Sequence, residues 1–261
     1  MTREVTKMAT HAEDLKFRLA TVELLRTAKK RYTYRELSAK TGLPVTVLSR
    51  YAKGHVLPNT ERARRLWDEL STIVGLETEF RRRIRFDSKG YFDNTSLIGD
   101  INLLRQAANH ALAKFAGKRV TKVLTAAVDG VPLAAMVANV LGVNLVIAKP
   151  TKEVGVSAFI EETYVLSGSG FTVTLYVPRF FLLRDARGNI RKVLTLKKTD
   201  SVLVVDDIIK SGDTQSALLN IVKKAKGEVS GIFALITVGN SWKETMNIPE
   251  NCQVEIILRV D

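Results

Sequence analysis

The stretch Val202-Leu203-Val204-Val205-Asp206-Asp207-Ile208-Ile209-Lys210-Ser211-Gly212-Asp213-Thr214 decides the fold of the longer part of this chain. Its first four residues are apolar and mostly β-branched, which reads as a buried strand over 201–207. The strand delivers two adjacent carboxylates, Asp206 and Asp207, at its C-terminal edge, where ligands bind in open parallel sheets. Lys210, Ser211, Gly212, Asp213 and Thr214 then make a short loop that opens a helix. Successive backbone N–H groups at such a helix start, with the Ser211 and Thr214 hydroxyls, form a cradle for a phosphate monoester. Two carboxylates cannot face that phosphate, but they suit neighbouring sugar hydroxyls as acceptors. The residues together describe a site for a ribose 5-phosphate group.

Working outward, the same alternation of strand and helix recurs. Further strands read at 120–128, 143–149, 231–238 and 254–260, with helices at 99–116, 132–141 and 214–226. Near-continuous apolar strands alternating with helices imply an α/β fold with a parallel sheet covered on both faces. Before residue 86 the pattern is helical throughout. Residues 87–98 carry Gly, Asp, Asn and Ser and read as a linker. The expected organisation is an all-α domain over 1–86, that linker, and a ligand-binding domain over 99–261.

Charge separates the two parts. The chain has 261 residues and a formal charge of +13. Residues 1–86 hold 19 Lys/Arg against 10 Asp/Glu, so a net of +9 sits in the first third. Such asymmetry points to a polyanionic partner, of which nucleic acid is the commonest. Within this part Thr33–Gly54 reads as a helix, a tight turn at Thr41-Gly42-Leu43, and a second helix from Pro44. Leu37 and Ala39 supply apolar positions before the turn, and Val47, Leu48 and Tyr51 after it. Gly42 suits a left-handed helix end and Pro44 a first turn. This spacing fits a helix-turn-helix whose second helix enters the major groove of double-stranded DNA. Thr46, Ser49, Arg50 and Lys53 are its candidate DNA contacts; an ordinary helical hairpin is the alternative. Arg81, Arg82 and Arg83, with Arg85, read as phosphate contacts, as a solvated face, or as partners of an acidic patch on the next domain.

Other classes are set aside. One cysteine, Cys252, excludes a disulfide scaffold and a cysteine-based zinc site. His11 and His55 lack companions at ligand spacing, so no metal site is expected. No apolar run reaches the roughly 18 residues of a membrane span, and the N-terminus lacks a signal-peptide core. A cytoplasmic, DNA-associated protein is the expectation.

The segment 202–214 resembles the phosphoribosyl pyrophosphate (PRPP) motif of type I phosphoribosyltransferases. By that resemblance Asp206 and Asp207 hold the ribose hydroxyls, and Lys210 to Thr214 hold the 5′-phosphate. Asp213 stands where many members have a second glycine, and its carboxylate must point away from the phosphate. Ala126–Ala134, with Asp129 and Gly130, resembles the pyrophosphate loop, in which the peptide before the glycine is often cis. Residues 161–182 resemble the family's flexible loop and its flanking strands, with Lys149 ending the preceding strand. Tyr164-Val165-Leu166-Ser167-Gly168-Ser169 is similar to a stretch of bacterial PurR-type purine repressors, and xanthine phosphoribosyltransferases carry a related loop; the resemblance makes Tyr164, Ser167, Lys149, Asp129 and Gly130 further candidate ligand contacts. A plain β-hairpin is the other reading of this piece.

The helix-turn-helix resembles that of the Cro/repressor class. Joined to a phosphoribosyltransferase-like body, it matches archaeal GfcR-type regulators more closely than PurR, whose head is a winged helix. The resemblance implies a homodimeric transcription regulator of nucleotide, chiefly purine, metabolism. Its effector would be PRPP or a purine nucleotide, with Mg²⁺ carried on the ligand's oxygens. The alternative is an active phosphoribosyltransferase. Against turnover, Lys149–Gly155 lacks the histidine of the orotate enzymes' Lys-x-x-x-Lys-x-His-Gly stretch, so no catalytic residue is assigned. Trp242 is a candidate stacking surface or a core residue.

Overall fold

The computed structural model describes residues 11–85 and 93–260. The chain divides into two compact units, Met1–Asp93 with Leu112–Lys118, and Asn94–Ala111 with Arg119–Asp261. Of the linker expected over 87–98, residues 87–92 lie outside the described residues, and Thr95–Ile98 forms one helical turn.

The first unit is helical: α1 (His11–Lys29), α2 (Tyr34–Thr41), α3 (Val45–Ala52), α4 (Thr60–Val74) and α5 (Leu76–Arg83). Thr33 starts α2 through a reciprocal capping box. The Glu36 N–H donates to Thr33 Oγ1 at 3.3 Å, and the Thr33 N–H donates to Glu36 Oε2 at 2.6 Å. Gly42 ends the helix at φ +68°, and its N–H returns to the Ser38 carbonyl at 2.9 Å. Three residues later α3 begins, capped by Pro44. Leu25, Leu37, Leu48, Tyr51, Leu66 and Leu70 make the core from four helices. Ala39, read as an apolar position before the turn, faces solvent instead. Leu37 alone buries that end of α2.

The second unit opens with α6 (Thr95–Ile98) and α7 (Ile101–Phe115), whose last residues from Leu112 are grouped with the first unit, then β1 (Lys122–Ala126), α8 (Gly130–Leu141) and β2 (Asn144–Ala148). Two antiparallel hairpins follow: β3 (Phe159–Val165) with β4 (Thr172–Pro178), and β5 (Phe180–Arg184) with β6 (Ile190–Leu194). The chain then completes β7 (Ser201–Ile209), α9 (Asp213–Lys224), β8 (Glu228–Val238), α10 (Trp242–Thr245) and β9 (Gln253–Val260). Five strands form one parallel sheet in the order β2-β1-β7-β8-β9. All five strands and three helices read from the sequence in this part are present, with every end within three residues of the expected one.

Continuous burial explains the apolar strands. Every residue of β7 from Ser201 to Asp207 is buried. Leu124, Val202, Val204, Ile232 and Ala234 face α9 residues such as Leu218 and Ile221 in one cluster. Alternate residues point to the other face, against which α8 packs on β1, β2 and β7. Each fully buried aliphatic side chain contributes about 1.5–3 kcal/mol. The second hairpin, β5–β6, was not foreseen. Its strands are largely exposed, so burial imposes no period on them that a sequence could show.

Candidate functional site

The sheet opens where the acids sit. β1 pairs with β7 only from Lys122↔Val202 to Leu124↔Val204, whereas β1 stays paired with β2 as far as Ala126↔Ala148. The chain leaves β1 toward β2 on one side, and β7 lies on the other. Such a reversal of strand order makes a crevice beyond the carboxyl ends of the strands. Asp206 and Asp207 follow the last β1–β7 pair after a single residue, Val205. They do not end the strand, as the sequence suggested: pairing with β8 carries β7 on to Ile209↔Thr237.

Adjacent residues of a strand point to opposite faces, and the two acids find partners on different elements. Gln215 Nε2, on α9, donates to Asp206 Oδ2 at 2.6 Å. Asn94, at the start of α6, donates to Asp207 Oδ2. The Asp207 N–H also donates to Asp206 Oδ1 at 3.1 Å. Burial, and then the Asp207 carboxylate beside it, push the Asp206 carboxyl well above the usual carboxylate range. Gly130 approaches so closely that a Cβ there would lie 2.5 Å from Asp206 Oδ1. Gln215, Asn94 and Thr125 were not picked out from the sequence. Gln215 lies one residue past the loop and was within reach of that reading, but Asn94 is 113 residues from its partner.

The phosphate-type loop opens α9 as expected. Gly212 adopts φ +84° and caps the helix. A Cβ on it would meet Met246 Cγ at 2.7 Å and Trp242 Cα at 3.2 Å. Trp242 itself is buried in the core cluster, so it is packing and not a stacking surface. Lys210 is exposed, while Ser211 and Thr214 are half-buried. The segment 161–182 spans most of the hairpin β3–β4 and enters β5, and the tip of β3–β4 reaches this loop. Tyr164 Oη lies 3.1 Å from Thr214 Oγ1. Ser167 donates to Asp213 twice, from its N–H at 2.7 Å and its hydroxyl at 3.0 Å, and Ser211 donates at 2.6 Å. Burial raises the Asp213 carboxyl, but the Ser211 and Ser167 hydrogen bonds outweigh it and hold it below the usual range.

The remaining residues lie apart from these clusters. Asp129 is exposed at the start of α8. The cis peptide joins Ala127 to Val128, two residues before the Asp129–Gly130 peptide that the resemblance suggested. Lys149 is half-buried at the end of β2, where its backbone bridges to Tyr176, and its ammonium pairs with Glu153. Lys152 pairs with Glu161 at 3.5 Å and lies 5.0 Å from the Tyr176 ring centre. Among the described residues no three His, Cys, Asp or Glu side chains converge as a metal-binding set, and no helix is long and apolar enough to cross a membrane.

In the first unit α3 buries Leu48 and Tyr51 and leaves Thr46, Arg50 and Lys53 exposed. Ser49 is half-buried rather than exposed, because it shares a flank with half-buried Ala52. Arg62 donates to Tyr51 Oη at 3.1 Å, tying α4 to α3. Arg81 and Arg83 pair with Glu77 and Glu79 one turn earlier on α5, and Arg31 reaches Glu79 at 2.6 Å.

Comparison with known proteins fits this arrangement. The family model of the phosphoribosyl transferase domain matches residues 94–260. A probable purine biosynthesis transcriptional regulator PurR of Streptococcus pneumoniae is 26% identical over 165 residues, 63% of this chain and 55% of that protein. A xanthine phosphoribosyltransferase of Clostridium novyi is 31% identical over 140 residues, covering 54% of this chain and 67% of that one. This chain thus spans little more than half the length of the PurR regulator. Among solved structures, an adenine phosphoribosyltransferase of Rhodothermus marinus superposes with a TM-score of 0.57 at 25% identity, over 71% of this chain and 98% of that one. With an acid pair at the strand reversal and a glycine-capped loop opening α9, the chain belongs to the phosphoribosyl transferase domain family.

Proposed function

We propose that the protein is a DNA-binding transcription regulator of purine metabolism genes whose second unit binds PRPP or a related purine nucleotide. One observation carries this reading: a ribose-phosphate type of crevice shares a chain with a two-helix turn whose second helix exposes Thr46, Arg50 and Lys53. The helix-turn-helix head covers residues 1–86 and the ligand-binding body 99–261. α3 enters the major groove, with Ser49 beside the exposed contacts, and a homodimer presents two copies to paired half-sites.

The crevice suits the ligand chemically. Ribose hydroxyls donate to Asp206 and Asp207, and at buried Asp206 such hydrogen bonds favour the charged form that burial disfavours. Backbone N–H groups from Lys210 to Thr214 meet the 5′-phosphate at the start of α9. In this reading Asp129 and Gly130, at the start of α8, offer backbone donors to a diphosphate, and Lys149, Tyr164 and Ser167 are further ligand contacts. Mg²⁺ travels on the ligand's oxygens. Binding shifts the population of DNA-competent states.

The second reading is an active phosphoribosyltransferase, and the likeness to a xanthine enzyme favours it. Against turnover, Lys149 and Lys152 are both engaged by glutamates. The test measures affinity for a selected operator with and without saturating Mg²⁺-PRPP at fixed ionic strength, because salt alone alters binding steeply. Parallel incubations with PRPP and each free base assay for diphosphate. A ligand-dependent operator affinity supports the regulator. Diphosphate release with no operator effect supports the enzyme.

A further inference from the structure

Val177 and Leu196 are both buried in the core cluster, and every residue between them is exposed or half-buried. That segment carries the β5–β6 hairpin, a two-stranded sheet of its own. A hairpin with no third strand is only marginally stable in water. This one also leaves large apolar side chains uncovered: Leu182 is 58% exposed, Leu183 51% and Ile190 61%.

The same segment concentrates charge. Residues 179–198 hold seven Lys/Arg against one Asp, a net of +6, whereas residues 87–261 together net only +4. The positive excess of the second unit therefore sits on this hairpin and its stem, and all seven cations are exposed. The one acid is occupied at the turn. Asp185 accepts from the N–H groups of Arg187 and Asn189 at 2.9 Å each and pairs with Arg191 at 3.2 Å.

Strand register sets the pattern of the surface. Leu182 lies opposite Lys192, Leu183 opposite Arg191, and Arg184 opposite Ile190. Opposed residues share a face and successive pairs alternate between faces. Leu182, Arg184, Ile190 and Lys192 thus share one face, and Leu183 and Arg191 take the other. Each face mixes aliphatic groups with cations. The core of a protein interface is depleted of charged residues, lysine among them, so a second copy of the chain is a poor fit. Neither face collects the apolar side chains as a membrane-surface element does. A polyanion with apolar surface between its charges suits the mixture. The major groove of double-stranded DNA admits a two-stranded ribbon and presents thymine methyl groups between its phosphate rows.

We propose that the β5–β6 hairpin is a DNA-binding arm, a contact on duplex DNA additional to α3. Arg184, Arg187 and Lys192 meet phosphates, and Leu182 and Ile190 lie against base edges. This rests on the reading of the protein as a DNA-binding regulator, and it extends that reading from the head to the body.

The test titrates the full chain with a random-sequence duplex across a salt series. A variant carrying Arg184→Gln, Arg187→Gln and Lys192→Gln should bind more weakly. Its slope of log affinity against log salt should be smaller by about 3, about one for each lost phosphate contact. Leu182→Ser with Ile190→Ser should weaken binding and leave the slope unchanged. These five positions are exposed, so the thermal unfolding midpoint of both variants should match that of the native chain. Independently of any loss, a photoactivatable label on Ala186→Cys, at the exposed turn, should crosslink to the duplex, and the unsubstituted chain treated alike should not. A chain that binds DNA with an unchanged slope in the glutamine variant and no crosslink overturns the arm and leaves α3 as the reading helix. Weaker binding that follows dissociation of a dimer in sedimentation overturns it in favour of an interface between copies. Hairpin-dependent binding of phosphatidylserine vesicles with an unchanged DNA slope also overturns it. A native chain that binds no duplex overturns both readings.

Discussion

Gly130 and Asp206 touch so closely that no side chain fits between them: a Cβ on Gly130 would lie 2.5 Å from Asp206 Oδ1 and 2.5 Å from Thr125 Oγ1. The glycine is buried at the start of α8, and neither neighbour is the free end of a long side chain. Gly130→Ala should therefore displace the acid. Overpacking of this kind costs about 1–3 kcal/mol. The expected outcome is a lower unfolding midpoint in denaturant together with loss of PRPP binding by calorimetry. An alanine variant with native stability and affinity would show that the Asp206 rotamer is dispensable.

Asp206→Asn should act on stability in the opposite sense. Burial and the neighbouring Asp207 raise the folded-state carboxyl above its unfolded value, so the charged form weakens the fold at neutral pH. Asn cannot ionise, yet its carbonyl can still accept from Gln215. The variant should be more stable at pH 7 by roughly 1 kcal/mol, the usual scale when a functional site is relaxed. That advantage should shrink as pH falls through the raised folded value, where the native acid becomes neutral too. Urea titrations of both proteins at several pH values check this, and a constant difference would contradict it.

Asp213 should show the reverse pH dependence. Its carboxyl is held low by Ser211 and Ser167, so its stabilising contribution is complete above the ordinary carboxylate range. It is lost as pH falls through the lowered folded value. The stability gap between the native chain and Asp213→Asn should close in acid. A gap that widened instead would mean the carboxylate is not stabilised by these donors.

Gly212→Ala carries two penalties. The residue sits at φ +84°, and its Cβ would strike Met246 Cγ at 2.7 Å. Left-handed strain for a non-glycine residue costs of order 1–3 kcal/mol even without the clash. Thermal unfolding should shift down and ribose 5-phosphate affinity should fall. Gly168→Ala, with a similar φ but open space around it, should pay only the strain.

For the first unit, Arg50→Ala should weaken operator binding more than binding to random DNA. Loss of a base-edge contact costs about 1–3 kcal/mol in discrimination. Lys53→Ala should weaken both DNAs alike and lower the salt slope by about 1, as loss of one phosphate contact does. Fluorescence anisotropy across a salt series separates the two. Arg50→Ala with no effect on either DNA would remove α3 as the reading helix.

The sequence by itself determined the parallel strands, the acid pair and the loop that opens α9. Their signals are local: a strand buried on both faces favours a continuous apolar run, as Val202 to Val205 show, and a left-handed turn favours glycine, as at Gly42 and Gly212. The capping of α2 by Thr33 and Glu36 is equally local, needing residues only three apart. The tertiary structure alone decided what those groups touch. Asn94 reaches Asp207 across 113 residues, and the Ser167 tip reaches Asp213 across 46. Neither contact leaves a period or spacing in the chain, because each depends on how β3–β4 and α6 pack against the sheet. The β5–β6 hairpin was hidden for a related reason. Its strands face solvent on both sides, and without burial there is no pattern for composition to reveal.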